Sequence, residues 1–300
     1  MLQRSPTYIV SRPGEDKWAL RLRKFLPAKL AYLLTRWKNV LLGIFMFNLA
    51  RKKPAGFKQR LLEMVQDEMG ADVDMTHYTP SYNPWDQRLC LVPDSDLFAS
   101  IKSGKASIVT DQVEKFTRDG IKLKSGKMIK ADIIVTATGL KMLTGGSAKI
   151  SVDGQPVNFG EKINYKGVMF SGIPNFGMTM GYTNASWTLK ADLTSEYVCR
   201  LINHMDKNGT PIATPTLPVG EMMGTEPMLD FSSGYVQRAI KDLPKQGDRK
   251  PWRLNQNYPK DIINLRHKTV DDGVMVFSRP GAVAARLPEQ SAEAEAIAAE

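Results

Sequence analysis

The chain has 300 residues, 42% of them hydrophobic and 24% charged, an ordinary globular composition for one large or two smaller domains. Its two cysteines, Cys90 and Cys199, and three histidines, His77, His204 and His267, are too few and too scattered for a CxxC redox pair, a zinc site or a histidine-based triad. They suit a reducing cytosol. The net charge of +10 is gathered in residues 1–60, where Arg4, Arg12, Lys17, Arg21, Arg23, Lys24, Lys29, Arg36, Lys38, Arg51, Lys52, Lys53, Lys58 and Arg60 face only Glu15 and Asp16.

In chain order, residues 1–3 read as the end of a short strand, and Pro6 and Pro13 then impose a loop. No apolar segment with a small-residue cleavage site follows Met1, so no secretory signal is expected. A helical region runs from about Lys17 to Met69. Within it, residues 20–34 and 37–50 alternate basic side chains with Leu, Phe, Tyr and Trp at roughly helical spacing. A solvated helical face would read this way, and so would a basic amphipathic helix on an anionic membrane. The longest apolar run, residues 40–50, is shorter than the about 20 residues a bilayer span needs. The aromatics lie on the apolar side rather than interleaved as base-stacking platforms, so nucleic acid is not an expected partner.

Residues 78–96, rich in Tyr, Pro, Asn and Asp, read as a loop of a kind that often carries function. Strands are expected at 107–110, 121–123 and 127–129, the last two joined as a hairpin by Ser125-Gly126. The run Asp132-Ile133-Ile134-Val135-Thr136-Ala137-Thr138-Gly139 reads as a buried strand ending at a glycine, in a chain with no Gly-x-Gly. Short strands follow near 148–152 and 168–171. Leu189, Leu193, Tyr197 and Leu201 recur every four residues and mark a helix of about five turns, with Thr183, Asn184 and Ser186 as candidate caps. Residues 206–228 read as a surface excursion, and residues 286–300 as a low-complexity tail, frayed or disordered.

Five stretches carry a resemblance: Leu2-Gln3-Arg4-Ser5-Pro6, Tyr82-Asn83-Pro84-Trp85-Asp86-Gln87-Arg88, Thr136-Ala137-Thr138-Gly139, Gly181-Tyr182-Thr183-Asn184-Ala185-Ser186-Trp187 and Pro251-Trp252-Arg253-Leu254-Asn255-Gln256-Asn257. They occur in this order in class B flavoprotein monooxygenases, the Baeyer-Villiger and flavin-containing enzymes. The chain resembles that family from Met1 to about residue 280. The resemblance implies an α/β fold: a Rossmann-like, two-dinucleotide-binding-domain flavoprotein, incomplete, with a helical insertion in the NADP domain. Residues 1–130 would be the remainder of the NADP-binding domain, and 131–285 the C-terminal part of the FAD-binding domain. The family's glycine-rich phosphate motifs have no counterpart here, so the chain is expected to be the C-terminal three-fifths of a family member and to bind dinucleotides poorly alone.

The same resemblance implies site residues. Arg4 would accommodate the 2′-phosphate of NADPH, where an acidic residue would hold an NAD ribose. A charged hydrogen bond there contributes about 1.5–3 kcal/mol, and Ser5 helps at the same phosphate. Arg88 is the expected catalytic residue, a fixed cation beside a C4a-peroxyflavin; pairing with Asp86 is the plainer alternative. Gln87 stands where the family usually has a lysine, which puts a second phosphate contact in doubt. Thr138 and Gly139 would mark the crossing between domains at the isoalloxazine, or an ordinary strand end. Asn184, Ala185 and Ser186 would bring a helix N-terminus to the flavin pyrimidine edge, or only cap that helix. Trp252 would approach the nicotinamide ribose and, with Asn257, line the substrate side; a tryptophan is as readily a core residue.

The implied function is an FAD- and NADPH-dependent monooxygenase. It would insert oxygen beside a ketone carbonyl or oxidise a sulfur or nitrogen centre, with a ketone or thio-compound and molecular oxygen as partners. A cytoplasmic location follows, with peripheral membrane association and homo-oligomer formation both compatible. A disulfide reductase on the same scaffold needs a CxxC pair, which is absent. The contrasting reading is an inactive truncated remnant that binds a partner chain or a membrane through its basic helices.

Overall fold

The computed structural model describes residues 1–218, 220 and 223–281, so the tail at 286–300 lies outside the described residues. The chain forms two compact units, Met1–Met142 with Leu229–Arg238, and Leu143–Met228 with the described part of Ala239–Glu300.

In the first unit, β1 (Leu2–Gln3) and β2 (Ile9–Arg12) lead into α1 (Lys17–Phe25), α2 (Ala28–Lys52) and α3 (Pro54–Met69), and β3 (Cys90–Pro93) returns parallel to β2. Two of these strands depart from the sequence expectation. Residues 9–12 form a strand between Pro6 and Pro13, and residues 90–93 form one inside the expected loop. Period two explains the first: Tyr8 and Val10 face a cluster with Ala50, Phe57 and Leu61, while Ile9 faces Val65, Tyr78, Phe98 and Ile108. The helices follow local signals. Asp16 caps α1 by accepting from the Trp18 and Ala19 N–H groups, Pro27 separates α1 from α2, and Pro54 opens α3. After α4 (Asp96–Lys102), β4 (Val109–Thr110) pairs parallel with β1; β6 (Gly120–Leu123) and β7 (Met128–Lys130) form the expected hairpin, and β5 (Val113–Thr117), a strand not expected from the sequence, extends it to an antiparallel meander.

Helix α2 is longer than its uninterrupted apolar run indicated. Its 25 residues are long and apolar enough on average to cross a bilayer, and only Ala31, Val40 and Ala50 are buried.

The buried strand expected at 132–139 is absent from the described structure. These residues pair with nothing there, and Ile133 and Val135 are 83% and 85% exposed. An apolar run supplies one strand's side chains, but the ladder and the covering layer must come from elsewhere.

In the second unit, β8 (Ser151–Val152) pairs with β9 (Gln155–Pro156), and β10 (Asn164–Tyr165) with β11 (Met169–Phe170). Helix α5 (Trp187–Asn208) buries Lys190, Leu193, Thr194, Tyr197 and Leu201 and ends at Gly209. The expected surface excursion contains two strands. Of these, β12 (Ile212–Pro215) pairs with the C-terminal β15 (Met275–Ser278) and buries Ala213, and β13 (Thr225–Pro227) pairs with β14 (Lys245–Gly247). Helix α6 (Gly234–Ala239), all but its last residue, belongs to the first unit; in the second, α7 (Tyr258–Ile262) follows β14 and runs into a π turn at Ile263–His267. Among the described residues no sheet exceeds three strands.

Hydrogen exchange followed by mass spectrometry checks the 132–139 segment. Its amides are expected to exchange at least about tenfold faster than those of β6, because no ladder protects them; equal protection would show a pairing that this structure lacks.

Candidate functional site

The segment carrying Arg88 is held by aromatic packing and hydrogen bonds. Tyr82 meets Tyr8 edge-on at 5.4 Å, its hydroxyl donates to Thr7 Oγ1 at 2.9 Å, and its carbonyl accepts from the Tyr8 hydroxyl at 2.6 Å. Burial pushes the Tyr8 phenol up to about 12, so it stays protonated and donating. Trp85, in a left-handed conformation (φ 68°), lies 5.7 Å from the Phe47 ring and 5.8 Å from the Phe57 ring. The Asp86 carboxylate accepts from Arg51 at 2.8 Å and from the Asn83 N–H at 3.1 Å, and its carbonyl accepts from the N–H and hydroxyl of Ser232 at 3.0 and 3.1 Å. Asp86 thus pairs with Arg51, and the alternative Arg88–Asp86 pair does not form. Arg88 is exposed, its guanidinium 5.9 Å from the Phe231 ring, and among the described residues it makes no ion pair. Such a group attracts an anion.

Arg4 and Ser5 are exposed just past β1. That strand is fixed by the Gln3 amide, which donates to Thr110 Oγ1 and to the His77 carbonyl, both at 2.8 Å. Gln87 is half-buried and bridges to Pro84. Thr138 and Gly139 are exposed; Gly139 has φ 108°, and a Cβ there would meet nothing within 4 Å. Glycine serves the backbone conformation here, and it leaves the backbone open to close approach.

In the second unit two candidate segments meet. The Asn184 amide donates to the Gln256 carbonyl at 3.0 Å, and the Thr183 N–H donates to Gln256 Oε1 at 3.0 Å. The Ser186 hydroxyl caps α5 by accepting from the Thr188 N–H, Ala185 is half-buried, and Asn257 caps α7 by accepting from the Lys260 N–H at 3.0 Å. Trp252 is 1% exposed and meets Tyr165 edge-on at 5.6 Å.

Beneath these segments lies a polar network not foreseen from the sequence. Lys190, 2% exposed, donates to Asp261 Oδ2 and to the Lys166 carbonyl, both at 2.8 Å. Asp261 also accepts from the Tyr182 hydroxyl at 2.8 Å and from the Asn255 amide at 2.8 Å. Burial lowers the Lys190 pKa and Asp261 opposes that shift, while burial first and Asp261 second raise that of Tyr182. At Gly167 a Cβ would lie 2.7 Å from Lys190 Cε, so only glycine admits the lysine. The usable signal was Lys190 standing three residues before Leu193 and seven before Tyr197, inside the apolar stripe. A cavity of about 290 Å³ beside the network is lined by Lys166, Arg253, Leu254, Asn255, Asp261 and Asp272 among others.

No protein-family model matches the chain. It is 50% identical to the FAD-containing monooxygenase EthA of Mycobacterium tuberculosis over 285 residues, which is 94% of this chain and 58% of that protein. It is 48% identical to the probable FAD-binding monooxygenase AlmA of Acinetobacter baylyi over 279 residues, 93% of this chain and 56% of the relative. Over nearly its whole length the chain is similar to FAD-containing monooxygenases. It spans somewhat more than half the length of these relatives. Its fold resembles an oxidized steroid monooxygenase bound to NADP (TM-score 0.54, 17% identity, 72% of this chain and 49% of that one). A crystal structure of OTEMO with FAD and NADP is similar at TM-score 0.52 and 17% identity, over 72% of this chain and 50% of that one. The mixed helix-and-sheet architecture is thus similar to part of these Rossmann-type flavin monooxygenases.

The residues suit a dinucleotide in part. Arg4 and Arg88 are exposed cations, Gly139 offers open backbone, and α5 presents a capped N-terminus. A Gly-x-Gly-x-x-Gly cradle for a pyrophosphate is absent from the sequence.

The Lys190→Met variant is expected to lose about 3–5 kcal/mol in urea unfolding, because it strands the Asp261 carboxylate. Adding Asp261→Leu should recover most of that loss. A single-variant cost below about 1 kcal/mol would show that the pair does not hold this unit together.

Proposed function

We propose that this chain is part of an FAD- and NADPH-dependent monooxygenase that oxidises ketones by Baeyer-Villiger insertion or oxidises sulfur or nitrogen centres. The observation that carries the reading is Arg88, an exposed guanidinium that among the described residues has no carboxylate partner, on a tightly anchored loop, in a chain similar to FAD-containing monooxygenases.

FAD, when bound, supplies the activation of oxygen, and NADPH supplies the electrons. Arg4 and Ser5 hold the 2′-phosphate, which selects NADPH over NADH. Arg88 would hold a positive charge beside the bound flavin, and its fixed loop spares the reorganisation a mobile side chain would need. The hydrogen bond from the Asn184 amide to the Gln256 carbonyl holds the chain that enters α5, whose N-terminus would favour negative charge on a bound flavin ring.

Two further parts of the proposal concern architecture. Residues 17–69 form the helical insertion of an NADP-binding domain whose remainder ends near residue 130. Residues 132–139, unpaired in this structure, would become a strand of the FAD-binding sheet once a neighbouring strand is supplied. FAD affinity of the chain alone is correspondingly weak.

The nucleotide preference is read by calorimetry with 2′-phospho-ADP-ribose and ADP-ribose. The first is expected to bind at least about tenfold more tightly, and Arg4→Ala to abolish the difference; equal affinities in the parent chain would refute the assignment of Arg4. The chemistry is read in a chimera in which this chain replaces the matching segment of EthA. NADPH-dependent oxidation of an aryl ketone or sulfide is expected, with Arg88→Ala lowering product formation by about 10²–10³. A chimera that binds FAD and NADPH yet oxidises neither compound class would defeat the proposal.

A further inference from the structure

We infer that the α1–α2 hairpin is a lipid-docking element that lies in the plane of an anionic bilayer surface. The inference is independent of the oxygenase reading. It begins with what α2 leaves uncovered: Leu30, Leu34, Leu41 and Phe45 are all exposed, the last two by 57% and 61%. Their spacings of four, seven and four residues set them on one stripe of the helix. Helix α1 adds exposed Trp18, Leu20 and Phe25. An apolar surface of this extent on a charged protein marks an interaction site.

Charge identifies the occupant. Arg21, Arg23, Lys24 and Lys29 are exposed around the turn between the helices, and Arg51, Lys52 and Lys53 at the far end of α2. Apolar side chains flanked by cations at both ends match a bilayer with anionic headgroups, where each Lys or Arg near the surface adds to the attraction. Trp18 and Tyr32, also exposed, suit the headgroup boundary. A second copy of this chain is the poorer occupant, since two-fold pairing would set these cations against their own copies.

The hairpin lies on the membrane and does not cross it. Arg36 and Lys38 interrupt the apolar sequence of α2, and both are held: Arg36 donates to the Tyr32 hydroxyl at 2.8 Å, and Lys38 pairs with Asp16, the residue that caps α1. Spanning would carry this pair of cations into hydrocarbon. In-plane docking leaves them at the headgroups, and the Lys38–Asp16 pair braces α1 against α2.

The test is flotation of the full chain with phosphatidylcholine vesicles, with and without phosphatidylglycerol; flotation separates bound protein from aggregate. The chain is expected to float with anionic vesicles at least about tenfold more tightly than with neutral ones, and to be released by salt. Leu41→Asn combined with Phe45→Asn, both at exposed positions, should weaken binding by about tenfold without changing the melting temperature. Arg21→Glu with Arg23→Glu, on the other helix, should do the same. Failure to float, equal binding to neutral vesicles, or full binding by both double variants would overturn the inference. So would a dimer in solution that the Leu41/Phe45 variant dissolves in place of vesicle binding.

Discussion

A buried ammonium persists only where its hydrogens find acceptors and its charge finds a counterion, and that constraint organises the second unit. Lys190 reaches the Lys166 carbonyl and the Asp261 carboxylate, with the Tyr182 ring 5.9 Å from its nitrogen. Asp261 in turn gathers Tyr182 and Asn255. Burying two charges costs more than their attraction returns unless the remaining hydrogen-bonding positions are filled. Meeting that condition fixes α5 against α7, requires a glycine at 167, and sets residues 182–184 beside residues 255–257.

The first unit solves its positioning problem differently. The loop bearing Arg88 is locked by aromatic packing around Tyr8, Tyr82 and Trp85, and by Asp86, whose carboxylate and carbonyl are both engaged. Because Arg51 occupies Asp86, Arg88 keeps its charge available. Among the described residues that cation is held through its neighbours and has no counterion, so it is free to attract an external anion.

Local periodicity made α5, the hairpin at 120–130 and the helical region after Lys17 legible in the sequence, because a helical stripe and a turn dipeptide are properties of the segment itself. Residues 90–93 lacked alternation because most of that strand is exposed, so it read as loop. Residues 132–139 carried a strong strand pattern, but a strand exists only with a neighbour, and the segment does not specify one. Among candidate site residues, Arg4 and Arg88 are exposed side chains able to meet a ligand. Ser186 and Asn257 are engaged as caps and Trp252 as core, roles that spacing alone could not separate from ligand contact. Lys190 was passed over because a lysine in an apolar stripe is legible only once its carboxylate, 71 residues away, is known.

Two of the exposed apolar surfaces among the described residues differ in kind, and backbone hydrogen bonding tells them apart. In α2 every peptide group within the helix is paired along its own axis, so the stripe from Leu30 to Phe45 can meet hydrocarbon without stranding a polar group. Residues 132–139 have no such pairing, and lipid would leave each bare N–H and C=O at a cost of several kcal/mol in addition to whatever the side chains gain. While exposed, that segment is satisfied by water; of the apolar partners only another strand supplies the ladder and the covering side chains together. The same apolar exposure therefore points to two different kinds of partner: a bilayer for the helix, whose needs are only hydrophobic, and a polypeptide edge for the strand, whose needs are both hydrophobic and polar.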